Sequence, residues 1–103
     1  MPHKKLDGVV EAVHYRPDGM VDWVRAYERR GPTFSDFTLL NRQALIERLK
    51  AGKRFYAGKR LIYLASTFEV SQRLRLVEQN GNDWLVTGET ASDRDWLDGV
   101  PVI

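Results

Sequence analysis

Hydrophobic and polar residues alternate over two neighbouring stretches of the chain. Val9-Val10-Glu11-Ala12-Val13-His14-Tyr15 and Met20-Val21-Asp22-Trp23-Val24-Arg25-Ala26-Tyr27 are rich in β-branched and aromatic side chains, with Arg16-Pro17-Asp18-Gly19 between them. This pattern predicts a β-hairpin. Pro17 suits the second position of a type I turn and Gly19 the left-handed residue that follows it, so a three-residue loop is expected, with Arg16 opposite Met20. That register sets Glu11 opposite Arg25 and His14 opposite Asp22, two favourable cross-strand pairs. One face then carries Val10, Ala12, Val24 and Ala26. The other carries Val9, Val13, Tyr15, Val21, Trp23 and Tyr27, either a second core layer or a platform for a ligand. A ribbon apolar on both faces must be covered on both, which favours a curled sheet over a flat one.

Residues 31–40, opened by Gly31-Pro32, read as a connection. A helix follows. Asn41 is a suitable N-cap, residues 42–51 are mostly strong helix formers with Leu45, Ile46 and Leu49 on one face, and Gly52 stands where a left-handed terminating residue belongs. Gly58 interrupts a strand-like run from Arg54-Phe55-Tyr56 to Leu61-Ile62-Tyr63-Leu64 and marks a turn or bulge. Leu74 and Leu76 alternate with Arg73 and Arg75, and Gln79-Asn80-Gly81-Asn82 joins them to Trp84-Leu85-Val86-Thr87 in a second hairpin. Its register stays open: a two-residue Asn-Gly loop sets Glu78 against Asp83, and a three-residue loop avoids that like-charge pair. Ser92-Asp93-Arg94-Asp95 resembles a capping box for one short helical turn, with Trp96 packing the tail onto the body.

The expected fold is a single α+β domain over residues 1–103, a small curled antiparallel sheet or partly open barrel in the order ββαβββ. One main helix spans about 42–51, a short helical turn lies near the C-terminus, residues 1–5 are loose, and residues 89–103 form an acidic tail.

Composition narrows the chemistry. The chain has no cysteine, which excludes disulfides, thiolate metal sites and cysteine nucleophiles and suits a reducing compartment. No run is long enough to span a membrane and no apolar leader is evident, so a cytoplasmic location is expected.

The glycine and glycine-lysine of residues 52–59 do not make a phosphate loop: five residues intervene where four are required, and Arg60 stands where a hydroxyl should follow. None of the eight glycines lie two or three apart, so dinucleotide and RNA-clamping glycine motifs are missing. His3 and His14 lack partners at ligand or triad spacing, and Asp93 and Asp95 read as a solvated helix start. No catalytic constellation, metal site or cofactor is expected.

Charge is distributed unevenly although the net value is only +2. Residues 50–60 hold Lys50, Lys53, Arg54, Lys59 and Arg60 without an acid, whereas from Glu78 onward there are six acids and one base, Arg94. The doubled Ala-Gly-Lys-Arg at 51–54 and 57–60 follows from helix-end and turn punctuation. If the outward Arg73 and Arg75 join the cations, a basic stripe of Lys50, Lys53, Arg54, Lys59, Arg60, Arg73 and Arg75 beside Phe55 and Tyr56 would suit weak, sequence-indifferent nucleic-acid binding. Two other functions fit the sequence: a protein-interaction or homo-oligomeric assembly module using strand edges or the aromatic face, and a small-molecule binder or enzyme with a pocket inside the sheet.

Overall fold

In the computed structural model the described residues are 6–30, 33–34, 37–60, 68–79, 81–88 and 94–103. The elements are β1 (Gly8–Tyr15), β2 (Val21–Arg30), β3 (Thr33–Phe34), β4 (Thr38–Asn41), α1 (Arg42–Lys50), β5 (Phe55–Arg60), β6 (Phe68–Gln79) and β7 (Asn82–Thr87). They form an α+β domain whose sheet runs β3-β2-β1-β5-β6-β7, with β4 also on β2. Among the described residues this ladder does not close into a barrel. The expected loose start at 1–5 and strand residues Leu61–Leu64 lie outside the described residues.

The first hairpin has its three-residue loop. The Arg16 N–H donates to the Met20 carbonyl at 2.8 Å, the Gly19 N–H donates to the Arg16 carbonyl at 2.9 Å, and Gly19 has φ +88°. Val10 faces Ala26 and Tyr15 faces Val21, yet between them the register slips: Ala12 faces Arg25, Val13 faces Val24 and His14 faces Trp23. Bulges at Glu11 and Asp22 cause the slip. The hydrophobic spacing requires them, because Val10, Val13 and Tyr15 on β1, like Val21, Val24 and Ala26 on β2, include a three-residue step that regular alternation would split between faces. With the bulges, all six pack into one core. The expected charge partners still meet, with Arg25 Nε 3.0 Å from Glu11 Oε1 and His14 Nε2 3.9 Å from Asp22 Oδ2. The aromatic face of the hairpin is therefore divided. Val13, Tyr15 and Val21 join the core, Tyr27 packs outside it against Phe68 (5.1 Å), and Trp23 stacks on His14 (5.1 Å).

Two expectations need correction. Residues 31–40 are not a plain connection, because Thr33–Phe34 and Thr38–Asn41 pair with β2 in adjoining registers and form its outer edge. Nor is the sheet wholly antiparallel: β5 lies parallel to β1, with Gly8, Val9 and Val10 opposite Phe55, Tyr56 and Ala57. The parallel pair follows from the route of the chain. Helix α1 buries Leu45 and Ile46 in the core and carries the chain from β4, beyond β2, to the far edge of β1; such a crossover delivers the next strand parallel to the first.

The helix itself follows its sequence signals. Asn41 Oδ1 accepts the Ala44 N–H at 2.8 Å. At the other end the Gly52 N–H donates to the Leu49 carbonyl at 3.1 Å and the Lys53 N–H to the Arg48 carbonyl at 3.1 Å, with Gly52 at φ +87°. This is a Schellman termination.

The C-terminal segment departs from expectation. Residues 94–103 contain no helix; they bridge Trp96 to Val86 and Val102 to Val13, with a turn at 98–99 between, closed by the Val100 N–H on the Leu97 carbonyl. Ser92 and Asp93 of the expected capping box lie outside the described residues. Leu97 and Val100 hold the segment to the core, while Trp96 is half-exposed. Asp95 is fully buried, and its carboxylate accepts the Val21 and Leu85 N–H groups at 2.8 and 2.9 Å and Arg42 Nε at 2.8 Å. A carboxylate engaged by three elements is not available as a solvated cap.

Candidate functional site

The basic residues sort into distinct environments once folded. Lys50, in the last turn of α1, lies 2.9 Å from Asp83 Oδ2. The second hairpin explains this pair. It takes the two-residue loop, with Gln79 opposite Asn82, Gly81 at φ +78° and Glu78 opposite Asp83. The turn preference of Asn-Gly prevails over the like-charge contact, which Lys50 relieves.

Phe55 is part of the hydrophobic core, 1 % exposed, with its ring over Gly8 so closely that a Cβ there would stand 2.4 Å from Phe55 Cε2. It is not available to stack on a base. Tyr56 is half-buried opposite Arg73. Lys59 lies at the far end of β5 opposite Glu69. It borders a hollow of about 450 Å³ that also has Glu11, Glu69 and Arg25 on its walls, so two acids balance two bases there. The Arg60 side chain lies outside the described residues.

What remains together is smaller than the stripe. Lys53, just past the end of α1, and Arg73 and Arg75 of β6 line one cleft of about 340 Å³ with Leu49, Leu74 and Leu76. Lys53 and Arg73 are exposed and have no ion-pair partner among the described residues. Arg75 is half-buried and anchored through Nε to the Gly88 carbonyl. Arg54 is exposed next to Lys53, its backbone N–H donating to Asp7 Oδ2 at 2.8 Å.

Among the described residues no acid lines this cleft. The described part of the acidic tail turns elsewhere, with Asp95 on Arg42 and the Asp98 carbonyl accepting the Thr87 hydroxyl at 2.9 Å. The leucines belonging to the cleft were missed in the sequence, although the alternation of Leu74 and Leu76 with the two arginines held the signal: one edge of β6 presents both an apolar and a basic row.

Among the described residues no cluster of three or more His, Asp or Glu side chains is arranged to hold a metal ion, and no helix is long and apolar enough to cross a membrane. Comparison with family models, with curated proteins and with solved structures finds no match to this chain.

Proposed function

We propose that this domain is a non-catalytic protein-interaction module whose basic cleft receives an acidic segment of a partner. The observation that carries the reading is the pairing of charge with surface type: Lys53, Arg73 and Arg75 gather around leucines, while Phe55, one of the two aromatics that would have stacked on bases, is in the core. Aliphatic walls suit an apolar side chain, and the cations suit carboxylates around it. Nucleic-acid binding draws less support, because three cations beside one half-buried aromatic, Tyr56, supply little beyond the sequence-indifferent phosphate term.

The test compares two labelled probes by fluorescence anisotropy, a peptide of glutamate and valine and a single-stranded oligonucleotide, at low salt and at fourfold higher salt. The peptide is expected to bind at low salt, and Lys53→Gln with Arg73→Gln should weaken it by roughly tenfold, two exposed charge contacts being lost. Both side chains are exposed, so the fold should survive. If the oligonucleotide alone binds, losing roughly twentyfold over that rise in salt as three phosphate contacts require, the cleft belongs to nucleic acid.

A further inference from the structure

Strand β6 is longer than either neighbour's pairing with it. Its first half, up to Arg73, pairs with β5, and its second half, Leu74–Gln79, pairs with β7 on the opposite edge. Among the described residues, no strand lies on the β5 side of that second half, and the basic cleft opens there.

The direction of the backbone groups follows from one hydrogen bond. The Gly88 N–H donates to the Arg73 carbonyl at 2.8 Å, so Arg73 turns its peptide groups toward β7. Alternate residues of a strand point their N–H and C=O to the same edge. Arg75, Val77 and Gln79 therefore also bond toward β7, as the closing pair of the two-residue loop requires; Leu74 turns to β5, as the pairing of Arg73 with Tyr56 requires, and Leu76 and Glu78 present their groups to the open edge. Side chains alternate too, Leu74 and Leu76 toward the core and the two arginines to the other face.

We infer that the cleft binds its acidic partner as an added β-strand along residues 76–78, an inference that rests on the protein-interaction reading above. Exposed strand edges bind extended peptides through main-chain hydrogen bonds, with side-chain preferences alternating between faces. Charge complementarity sets the alternation: acidic residues on the face shared with Arg73 and Arg75, apolar residues on the face shared with Leu76 and Leu49. Glu78 repels acids on that second face. The partner is thus an extended segment in which acidic and apolar residues alternate.

Four peptides built from the same residues test this against the wild-type protein: glutamate alternating with valine, the same residues in two blocks, and two forms of the alternating peptide N-methylated at every second amide, one in each phase. The alternating peptide should bind at least tenfold more tightly than the block peptide, and methylation of the edge-facing amides should remove at least tenfold, methylation in the other phase less. At saturation, hydrogen exchange of the Leu76 and Glu78 amides should slow by at least tenfold. Equal binding of alternating and block peptides, both weakened by Lys53→Gln with Arg73→Gln, overturns strand addition and leaves the acidic-partner reading standing. Absence of binding by all four overturns both.

Discussion

The carboxylate of Asp95 holds the guanidinium of Arg42 in a two-point contact, Nε at 2.8 Å and Nη2 at 3.1 Å, with no part of the Asp95 side chain exposed. Through it the C-terminal segment is tied to the start of α1, to Val21 of β2 and to Leu85 of β7. Removing one member of a buried, hydrogen-bonded pair leaves the other charge without compensation, at about 3–5 kcal/mol. Asp95→Ala is expected to lower stability by that order and the melting temperature by more than about 10 °C. A shift of a degree or two, measured calorimetrically, would show that this contact does not organise the fold.

Lys50 and Asp83 make a weaker, exposed counterpart. Because Asp83 faces Glu78 across the hairpin, Lys50→Gln removes the cation that offsets two facing carboxylates, and a loss of about 0.5 kcal/mol is expected in denaturant unfolding. In an Asp83→Asn background the same change should cost almost nothing, which a double-mutant cycle resolves. Equal effects in both backgrounds would place the role of Lys50 elsewhere.

Local turn and cap chemistry was readable from sequence: Pro17-Asp18-Gly19, Asn41 and Gly52 each stand where their conformational preferences put them, and Gly58 lies beside a bulge where the neighbouring strand leaves no room for a side chain. Pairings that depend on distant parts of the chain were harder to read. The Glu11 and Asp22 bulges can be seen only when Val10 and Val13 are required to share a core face, and Thr38–Asn41 is too short to separate from a loop until β2 offers it an edge. The parallel pairing of β1 and β5 depends on where α1 crosses. Charge proximity along residues 50–60 suggested one surface, but strand alternation buried Phe55, a hairpin engaged Lys50, and β5 carried Lys59 away from Lys53. The burial of Asp95 had no local signal, since its partners lie on β2, β7 and α1.

Two glycines separate steric from conformational cost. At Gly58 a Cβ would stand 2.4 Å from the Glu69 carbonyl oxygen and 3.0 Å from Val70 Cα, both backbone atoms of the neighbouring strand. Gly58→Ala must push β5 from β6 and should cost about 2 kcal/mol, within the range of overpacked sites. At Gly19 there is open space but φ is +88°, so Gly19→Ala should cost only about 1 kcal/mol through backbone strain. Chemical denaturation should rank Gly58→Ala as the more harmful; the reverse order would contradict the close approach of β5 and β6 at the bulge.

Tyr15 supplies a pH dependence. Burial of its phenol raises the pKa above the ordinary 10.0; the Leu97 N–H, which donates to the phenol oxygen at 3.0 Å, opposes that rise, and the neighbouring Asp95 carboxylate adds to it. The folded state thus holds this proton more tightly than the unfolded chain does. Its contribution to stability is complete below pH 10 and disappears as pH rises through the folded-state value. Tyr15→Phe cannot ionise, so its melting temperature should fall less steeply than that of the wild type above pH 10. Absorbance at 295 nm gives the direct measurement: the difference between wild-type and Tyr15→Phe titrations should be one phenol ionising above pH 10. A difference centred at or below that value would mean that the tail segment does not shield Tyr15 and that Leu97 and Asp95 are not packed against it in solution.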